Sequence, residues 1–190
     1  MIYKILRCAI ALFMNLIYRP TIEGKENIPL QGSVILAGNH TDYLDWFLVV
    51  SSTKRTVHFL GKHTLFKWPL KSLMRAMHVI PVDRTKAKND QSLTASERVL
   101  KNGEALGIFP EGTINRTSNE ILPFKMGAVY LSKKTNSPIV PFVITGKYRC
   151  FKRGLKLTFL EPIEVIDEHL QNENESFMAK IKRKLEGKIE

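Results

Sequence analysis

The sequence predicts one α/β domain, residues 21–190, in which helices flank a mixed central sheet, preceded by an apolar, amphipathic helix at residues 1–20. Short apolar segments rich in β-branched residues alternate with segments of helical periodicity, the pattern of helices packed on a sheet. A chain of 190 residues is long enough for a single hydrophobic core. No internal repeat, low-complexity segment or linker divides it, so we expect one folded unit.

The N-terminal helix is predicted to lie in a membrane interface. Lys4, Arg7 and Asn15 are the only polar positions in the otherwise apolar residues 1–18. The uncharged run 8–18 is too short to span a bilayer, which takes about 20 apolar residues, and no small-residue cleavage site of a signal peptide follows it. An interfacial helix with its basic side chains at the headgroups fits this pattern. The alternative is a core helix of the domain.

Six short apolar segments are predicted to form the strands of the sheet. Glycine or proline bounds most of them, and their residues are largely β-branched or aromatic. Pro81 has no backbone N–H to donate to a neighbouring strand, which indicates that its strand lies at an edge or ends there. The six segments are residues 33–38, 57–60, 78–82, 105–109, 138–145 and 155–160.

Five further segments are predicted to be helices. Residues 90–102 give the clearest signal, because Leu93, Val99 and Leu100 keep helical spacing and Gly103 provides a stop. Pro69 suits the first position of another helix. The five helices are residues 43–52, 69–77, 90–102, 126–134 and 176–185.

The basic excess of the chain favours an anionic partner. Lys and Arg number 29 against 18 Asp and Glu, a formal net charge of +11 that fits a nucleic acid or an anionic membrane surface. Cys8 and Cys150 lie outside any CxxC or Cys/His pattern. We therefore expect free thiols, no disulfide framework and no metal site.

The first loop with potential chemistry contains His40 and Asp45, directly after the strand that ends at Gly38. A histidine at a strand end can accept a proton near neutral pH, and a carboxylate on its other ring nitrogen would fix its tautomer. Residues five apart on one helix point about 140° apart, so the pair requires His40 to precede the helix. Asp42 is a rival partner, although it better suits the helix N-cap. A purely structural histidine in this turn is the alternative.

A second loop, residues 109–113, follows another apolar strand and carries Glu111, Gly112 and Thr113. Glycine permits a close backbone approach or a positive φ, and backbone N–H groups in such a turn can receive an anion or a polyol. A turn with a solvated glutamate is the simpler interpretation. Lys62 and Arg84 also follow predicted strands and suit a phosphate. The coincidence of four such strand ends favours a functional site.

These residues and their order resemble the glycerolipid acyltransferase family, most closely the bacterial 1-acyl-sn-glycerol-3-phosphate acyltransferases. A lone His-x4-Asp is a weak signal, but it becomes strong when Phe-Pro-Glu-Gly-Thr follows about 70 residues later. The matching motifs are His40-x4-Asp45, Gly61-Lys62 with Leu65-Phe66 and Pro69, Val82-Asp83-Arg84, Phe109-Pro-Glu-Gly-Thr113 and Ile139-Val-Pro141.

The resemblance implies a role for each candidate residue. His40 would be the general base and Asp45 its orienting carboxylate. Lys62 and Arg84 match positions associated with the acceptor's phosphate. The block of Glu111, Gly112 and Thr113 matches the one that binds the glycerol-phosphate part. The family usually continues with Arg-Ser, whereas Ile114-Asn115 stands here; Arg116 would then substitute from the next turn.

The implied reaction transfers a fatty acyl group from a thioester to 1-acyl-sn-glycerol 3-phosphate (lysophosphatidate), giving phosphatidate. It needs no cofactor, metal or acyl-enzyme, because acyl-CoA or acyl carrier protein supplies an activated co-substrate. Other acceptors, such as glycerol 3-phosphate or another lysophospholipid, and a non-catalytic lipid-binding relative are the alternatives.

The expected location is the cytoplasmic face of the cell membrane, with the protein peripheral or monotopic on an anionic bilayer. The basic stretches 147–156 and 180–184 are candidate lipid-contacting surfaces. A nucleic-acid-binding module, with Tyr148 and Phe151 stacking on bases, is the rival interpretation. It leaves the His40–Asp45 pair and Glu111 unexplained, so no nucleic-acid partner is expected.

Overall fold

The computed structural model describes residues 1–83, 90–116 and 120–187. Within these ranges a single sheet is flanked by helices on both faces, which confirms the predicted α/β domain with a mixed sheet. Arg84 lies outside the described residues. The strands are β1 (Thr21–Glu23), β2 (Val34–Gly38), β3 (Val57–Lys62), β4 (Ile80–Val82), β5 (Ala105–Ile108), β6 (Ile139–Thr145) and β7 (Lys156–Phe159). The helices are α1 (Ile2–Ile17), α2 (Asp45–Ser52), α3 (Lys71–Ala76), α4 (Asp90–Lys101), α5 (Gly127–Thr135) and α6 (Leu170–Leu185), with 3₁₀ turns at Lys25–Asn27 and His63–Phe66.

The strand order β1-β7-β6-β2-β5-β3-β4 determines where the loops meet. Strands β6, β2, β5, β3 and β4 are mutually parallel, whereas β7 runs antiparallel to β6 and parallel to β1. The loops that leave the five parallel strands therefore emerge at one edge of the sheet, where α/β proteins bind their ligands. Pro81 lies in β4, the last strand in this order, so its predicted edge position is confirmed.

The central strands are buried on both faces because helices cover both. Along β2, Val34 and Leu36 pack into the cluster beneath α1 and α2, while Ile35 and Ala37 pack into the cluster beneath α4, α5 and α6. All four side chains are fully buried. Successive side chains of a strand point to opposite faces of the sheet, and here both faces are buried. These segments are therefore apolar at every position rather than at every second one.

Several element boundaries differ from the sequence prediction, and one strand was missed. The helix predicted from Pro69 begins at Lys71, and β1 was not predicted because it has only three residues, none of them buried. The last helix begins at Leu170 rather than residue 176. Its buried stripe continues back from Phe177 to Asn174, whose amide donates to the Phe124 carbonyl at 2.9 Å. A buried asparagine hides the helical period from a hydrophobicity pattern.

Helix α1 packs on the domain through one side and exposes apolar residues on the other. Tyr3 and Met14 are buried in the core, and the Tyr3 hydroxyl accepts the Val57 N–H at 2.9 Å. Five large apolar side chains on the outer side are 46–70% exposed: Ile2, Ile5, Leu12, Phe13 and Leu16. We call these five residues the outer stripe.

Among residues 1–83, 90–116 and 120–187, no helix combines the length and hydropathy needed to cross a bilayer.

Candidate active site

His40 and Asp45 form a direct hydrogen bond at the edge where the parallel strands end. Strand β2 stops at Gly38, so His40 lies in the following loop, while Asp45 is the first residue of α2. His40 Nδ1 is 2.9 Å from Asp45 Oδ2. The requirement that His40 precede the helix is therefore met. The side chain of Asp45 is fully buried and that of His40 is 13% exposed, so solvent and substrate can reach only the imidazole.

The Asp45 carboxylate accepts hydrogen bonds from several further donors. Oδ2 accepts the backbone N–H groups of Thr41 at 2.5 Å and Asp42 at 2.9 Å, and Oδ1 accepts the Thr41 hydroxyl at 3.2 Å. The Tyr148 hydroxyl donates to Oδ1 at 2.7 Å. A buried charge is tolerated when such donors replace water, so the loop around Asp45 is built to hold a carboxylate.

Asp42 is not the partner of His40. Its Oδ1 accepts the Leu44 backbone N–H at 3.0 Å, and its carbonyl accepts the Asp45 N–H at 3.2 Å. Leu44, rather than Asp42, is the N-cap residue of α2, so the N-cap prediction is wrong by two positions. Asp42 instead stabilises the tight turn that turns the chain from His40 into the helix, as aspartate often does.

The imidazole is also held by Phe109, the residue after β5. The two rings stack with centroids 4.0 Å apart and planes 13° from parallel. The ring of Phe59 in turn stacks on the ring of Phe109, with centroids 5.5 Å apart. The stack and the bond to Asp45 together restrict the rotation of the His40 ring, which is what a base needs in order to meet a substrate hydroxyl in one geometry.

Glu111 joins the two chemical loops through the backbone. Its Oε1 accepts the His40 N–H at 2.8 Å and its Oε2 accepts the Leu122 N–H at 3.1 Å, with the side chain 5% exposed. The Asn115 N–H in turn donates to the His40 carbonyl at 2.8 Å. Burial raises the pKa of the Glu111 carboxyl, while these backbone donors oppose the rise. Glu111 therefore fixes the position of the His40 backbone, and its predicted substrate contact stays a prediction.

Gly112 has a backbone conformation that favours glycine, and it lies close to the end of the Lys125 side chain. Its φ is +70°, and a Cβ there would lie 2.8 Å from Lys125 Nζ. The Lys125 amine thus lies over the Glu111-Gly112-Thr113 turn, and it forms no ion pair with any carboxylate in the described part of the chain. Thr113 is exposed beside it. Lys125 gave no signal in the sequence because it follows the motif by twelve positions.

Arg116 and Lys62 lie at the same edge of the sheet. The Arg116 guanidinium is 5.0 Å from the centroid of the Tyr43 ring, which belongs to the loop between His40 and Asp45. Lys62 is the last residue of β3 and pairs in register with Val82 of β4, two positions before Arg84. The strand order therefore places the loops of Lys62, Glu111 and His40 side by side, and Arg84 lies outside the described residues.

Besides Lys125, the sequence did not reveal the roles of Asn39 and Tyr148 in this site. The Asn39 side chain bridges β2 and β6: its amide donates to the Ile144 carbonyl at 2.9 Å and its oxygen accepts the Ile144 N–H at 2.8 Å. Tyr148 was considered as part of a lipid-contacting stretch or as a base-stacking residue, but its ring is half-buried and its hydroxyl is bonded to Asp45. Only the adjacency of β2 and β6 could have revealed either contact.

Comparison with known proteins gives a consistent family. The family model described as Acyltransferase matches residues 19–145. The 1-acyl-sn-glycerol-3-phosphate acyltransferase of Bacillus subtilis is 32% identical over 99% of this chain and 98% of its own. The enzyme of the same name from Borreliella burgdorferi is 31% identical over 70% of this chain, and the match covers about half (54%) of that relative's length.

A solved structure has the same fold. The crystal structure of the 1-acyl-sn-glycerophosphate acyltransferase PlsC from Thermotoga maritima superposes with a TM-score of 0.80 at 24% identity, covering 97% of this chain and 80% of that one. The matched family region contains His40, Asp45 and the 109–113 loop. The chain therefore belongs to the acyltransferase family that includes the 1-acyl-sn-glycerol-3-phosphate acyltransferases.

Proposed function

We propose that this protein transfers a fatty acyl group from an acyl thioester to the free hydroxyl of 1-acyl-sn-glycerol 3-phosphate, forming phosphatidate for phospholipid synthesis. The observation that carries the proposal is the bond between His40 Nδ1 and the buried Asp45 carboxylate, which leaves the other ring nitrogen for a substrate. The full-length match to a Bacillus subtilis enzyme named for this activity supports the choice of acceptor.

In the proposed mechanism, His40 acts as the general base. Nδ1 carries a proton and donates a hydrogen bond to Asp45, so Nε2 has a free lone pair that takes the proton of the acceptor hydroxyl. The oxygen attacks the thioester carbonyl and a tetrahedral oxyanion forms. Collapse of this intermediate expels the thiolate, which takes the proton from the imidazolium to leave as a thiol. The new ester is formed without an acyl-enzyme, and the thioester is the co-substrate rather than a cofactor.

The phosphate of the acceptor would be held by basic side chains at the ends of neighbouring strands. We assign Lys62 and Arg84 to this phosphate, because Lys62 ends β3 and Arg84 follows β4 in the sequence, adjacent parallel strands that β5 and its Glu111 loop separate from the His40 loop. We assign the backbone of Glu111, Gly112 and Thr113, together with the guanidinium of Arg116, to the glycerol-phosphate part. The position of Arg116 over Tyr43, within the His40 loop, supports its share in this role.

The proposed site of action is an anionic membrane surface at the cytoplasmic face, reached as a peripheral or monotopic protein. The outer stripe of α1 provides an apolar surface, and the loop after β6 extends it. There the Phe151 N–H donates to the Ile17 carbonyl at 2.6 Å, with the Phe151 ring 63% exposed. The flanking cations Lys147, Arg149, Lys152 and Arg153 are exposed and have no carboxylate partner among the described residues.

A panel of acceptors tests the proposed function. Purified protein in detergent is given acyl-CoA or acyl carrier protein, and thiol release and lipid products are measured with lysophosphatidate, glycerol 3-phosphate, a zwitterionic lysophospholipid or no acceptor. The proposal expects phosphatidate formation that depends on lysophosphatidate. Preference for another acceptor would contradict the assigned substrate but not the family, and no release with either donor and any acceptor would contradict an enzymatic role. The two donors together show which thioester is used.

A further inference from the structure

Tyr148 lies in the loop after β6. Its side chain reaches the carboxylate of Asp45, which follows the loop after the neighbouring strand β2. Its hydroxyl donates to Asp45 Oδ1 at 2.7 Å, whereas the imidazole of His40 bonds to Oδ2 at 2.9 Å. One carboxylate therefore connects the phenol and the imidazole through its two oxygens. The sequence separation of Asp45 and Tyr148 is 103 residues, so this contact exists only because β2 and β6 are adjacent.

The ring of Tyr148 is held in place by packing. Tyr18, at the end of α1, packs edge-on against it with centroids 5.4 Å apart and an interplanar angle of 84°. Tyr148 is also part of the hydrophobic cluster beneath α1 and α2. Its orientation is therefore set by packing, and the hydrogen bond to Asp45 is preformed rather than dependent on a substrate.

The phenol remains a donor throughout the working pH range. Burial raises the pKa of the Tyr148 hydroxyl, and the nearby negative charges of Asp45 and Asp42 raise it further. A neutral phenol that donates to a carboxylate withdraws negative charge from it. The Asp45 oxygen that faces His40 is thus less basic than it would be without Tyr148.

We propose that Tyr148 is a positioning residue of the His40–Asp45 pair, which orients the Asp45 carboxylate and sets the strength with which Asp45 stabilises protonated His40. This proposal rests on the proposed function only for its effect on turnover. Its effect on His40 itself is a property of the folded protein and can be measured without substrate.

The expected consequence of Tyr148→Phe is a stronger attraction between Asp45 and the imidazolium. The other groups that face this cluster are Asp42 and Thr41 of the same loop, Glu111 on the His40 backbone, Tyr18 of α1 and Cys150 of the β6 loop. None of these is altered by the substitution. We therefore expect the His40 signals of this variant to titrate at higher pH than those of the wild type.

The first measurement follows the His40 ring nitrogens by NMR during a pH titration of the full chain. Tyr130→Phe is the matched control, because the hydroxyl of Tyr130 accepts a hydrogen bond from Lys134 on α5, away from His40, and the variant should titrate like the wild type. Replacement of Tyr148 by 3-fluorotyrosine keeps the hydroxyl, makes it a stronger donor and should move the midpoint to lower pH. A His40 midpoint that is the same in all four proteins overturns the proposal.

The second measurement compares turnover in single and double variants. Tyr148→Phe should lower kcat about tenfold with little change in either KM, since the contact acts through the base. In an Asp45→Asn background the same substitution should have little further effect, because coupled residues are not additive. Equal effects in both backgrounds would show a merely structural role and overturn the proposal. If the His40 midpoints of the variants move as expected but the wild type transfers no acyl group, the result contradicts the proposed function alone.

Discussion

The site contains two buried carboxylates that serve His40 in different ways. Asp45 bonds to the imidazole and Glu111 bonds to the backbone N–H of the same residue. Both are almost inaccessible, with exposures of 0% and 5%. The two contacts fix the side chain and the main chain of His40 independently, which would let a base keep a single geometry at the end of a strand.

A partly buried histidine, His58 in β3, gives a prediction about stability and pH. Burial lowers the pKa of His58, and the neighbouring His78 lowers it further, against the opposing charge of Glu104. A histidine whose pKa is lowered by folding contributes stability at pH values above its pKa in the unfolded chain, near 6.5. This stability is lost as the pH falls from there toward the pKa in the folded protein. We expect the free energy of unfolding to fall less between pH 7.5 and pH 5 in His58→Gln than in the wild type.

Urea unfolding at the two pH values measures this difference. His169→Gln is the control, because His169 is exposed at the start of α6 and should keep the wild-type dependence. An unchanged pH dependence in His58→Gln would show that the buried imidazole does not contribute to acid destabilisation.

At the scale of elements, Gly38 sets the distance between β2 and β6 just before His40. A Cβ at Gly38 would lie 2.1 Å from the Phe142 carbonyl oxygen and 2.4 Å from its ring, whereas a Cβ at Gly127 meets nothing within 4 Å. We expect Gly38→Ala to destabilise the protein by about 1–3 kcal/mol or more through overpacking. Gly127→Ala, at the start of α5, should instead stabilise it by about 0.5–1 kcal/mol.

Thermal and urea unfolding of the two variants, together with acyl transfer, test the close approach of these strands. Because Gly38 leads directly into the catalytic loop, Gly38→Ala should also lower turnover, while Gly127→Ala should leave it unchanged. Equal stabilities of the two variants would contradict the close packing of β2 against β6.

The elements that could be predicted from the sequence were those whose own residues carry a strong pattern. Strands β2 and β6 are continuous apolar runs because both of their faces are buried. By contrast, β1 has an exposed, three-residue sequence, and the first turns of α6 are polar around the buried Asn174. Their positions depend on partners elsewhere in the chain, which a local pattern does not contain.

The same distinction explains which contacts of the site could be predicted from the sequence. His40 and Asp45 are five residues apart, so their pairing followed from local geometry and motif. Tyr148 and Asn39 reach partners more than 100 residues away, and those contacts need the order of the strands. Parallel strands that are distant in sequence become neighbours only through crossovers, which hydrophobicity alone does not specify.

At the scale of the whole molecule, one surface combines the outer stripe of α1 with the basic loop after β6. We expect Leu12→Glu to weaken binding to anionic vesicles at least about tenfold, because a 70%-exposed leucine that would enter the acyl region is replaced by a charge. Ile166→Glu is the matched control: Ile166 is 74% exposed, but its backbone contacts α5 and α6 on the opposite face of the sheet.

Vesicle sedimentation at two salt concentrations measures this effect. Binding of the wild type should weaken with salt as its cations are screened. If Leu12→Glu and Ile166→Glu bind equally well, the outer stripe is not the lipid-contacting surface.

The central claim is that His40 is the base that activates the acceptor hydroxyl. The most direct test is the kcat for phosphatidate formation by His40→Ala, compared with His169→Ala, a substitution at an exposed histidine remote from the site. We predict a loss of about a hundredfold to ten-thousandfold in His40→Ala, the usual contribution of a general base, with the folded state retained, and wild-type turnover in His169→Ala. Turnover in folded His40→Ala that matches the wild type would contradict the account.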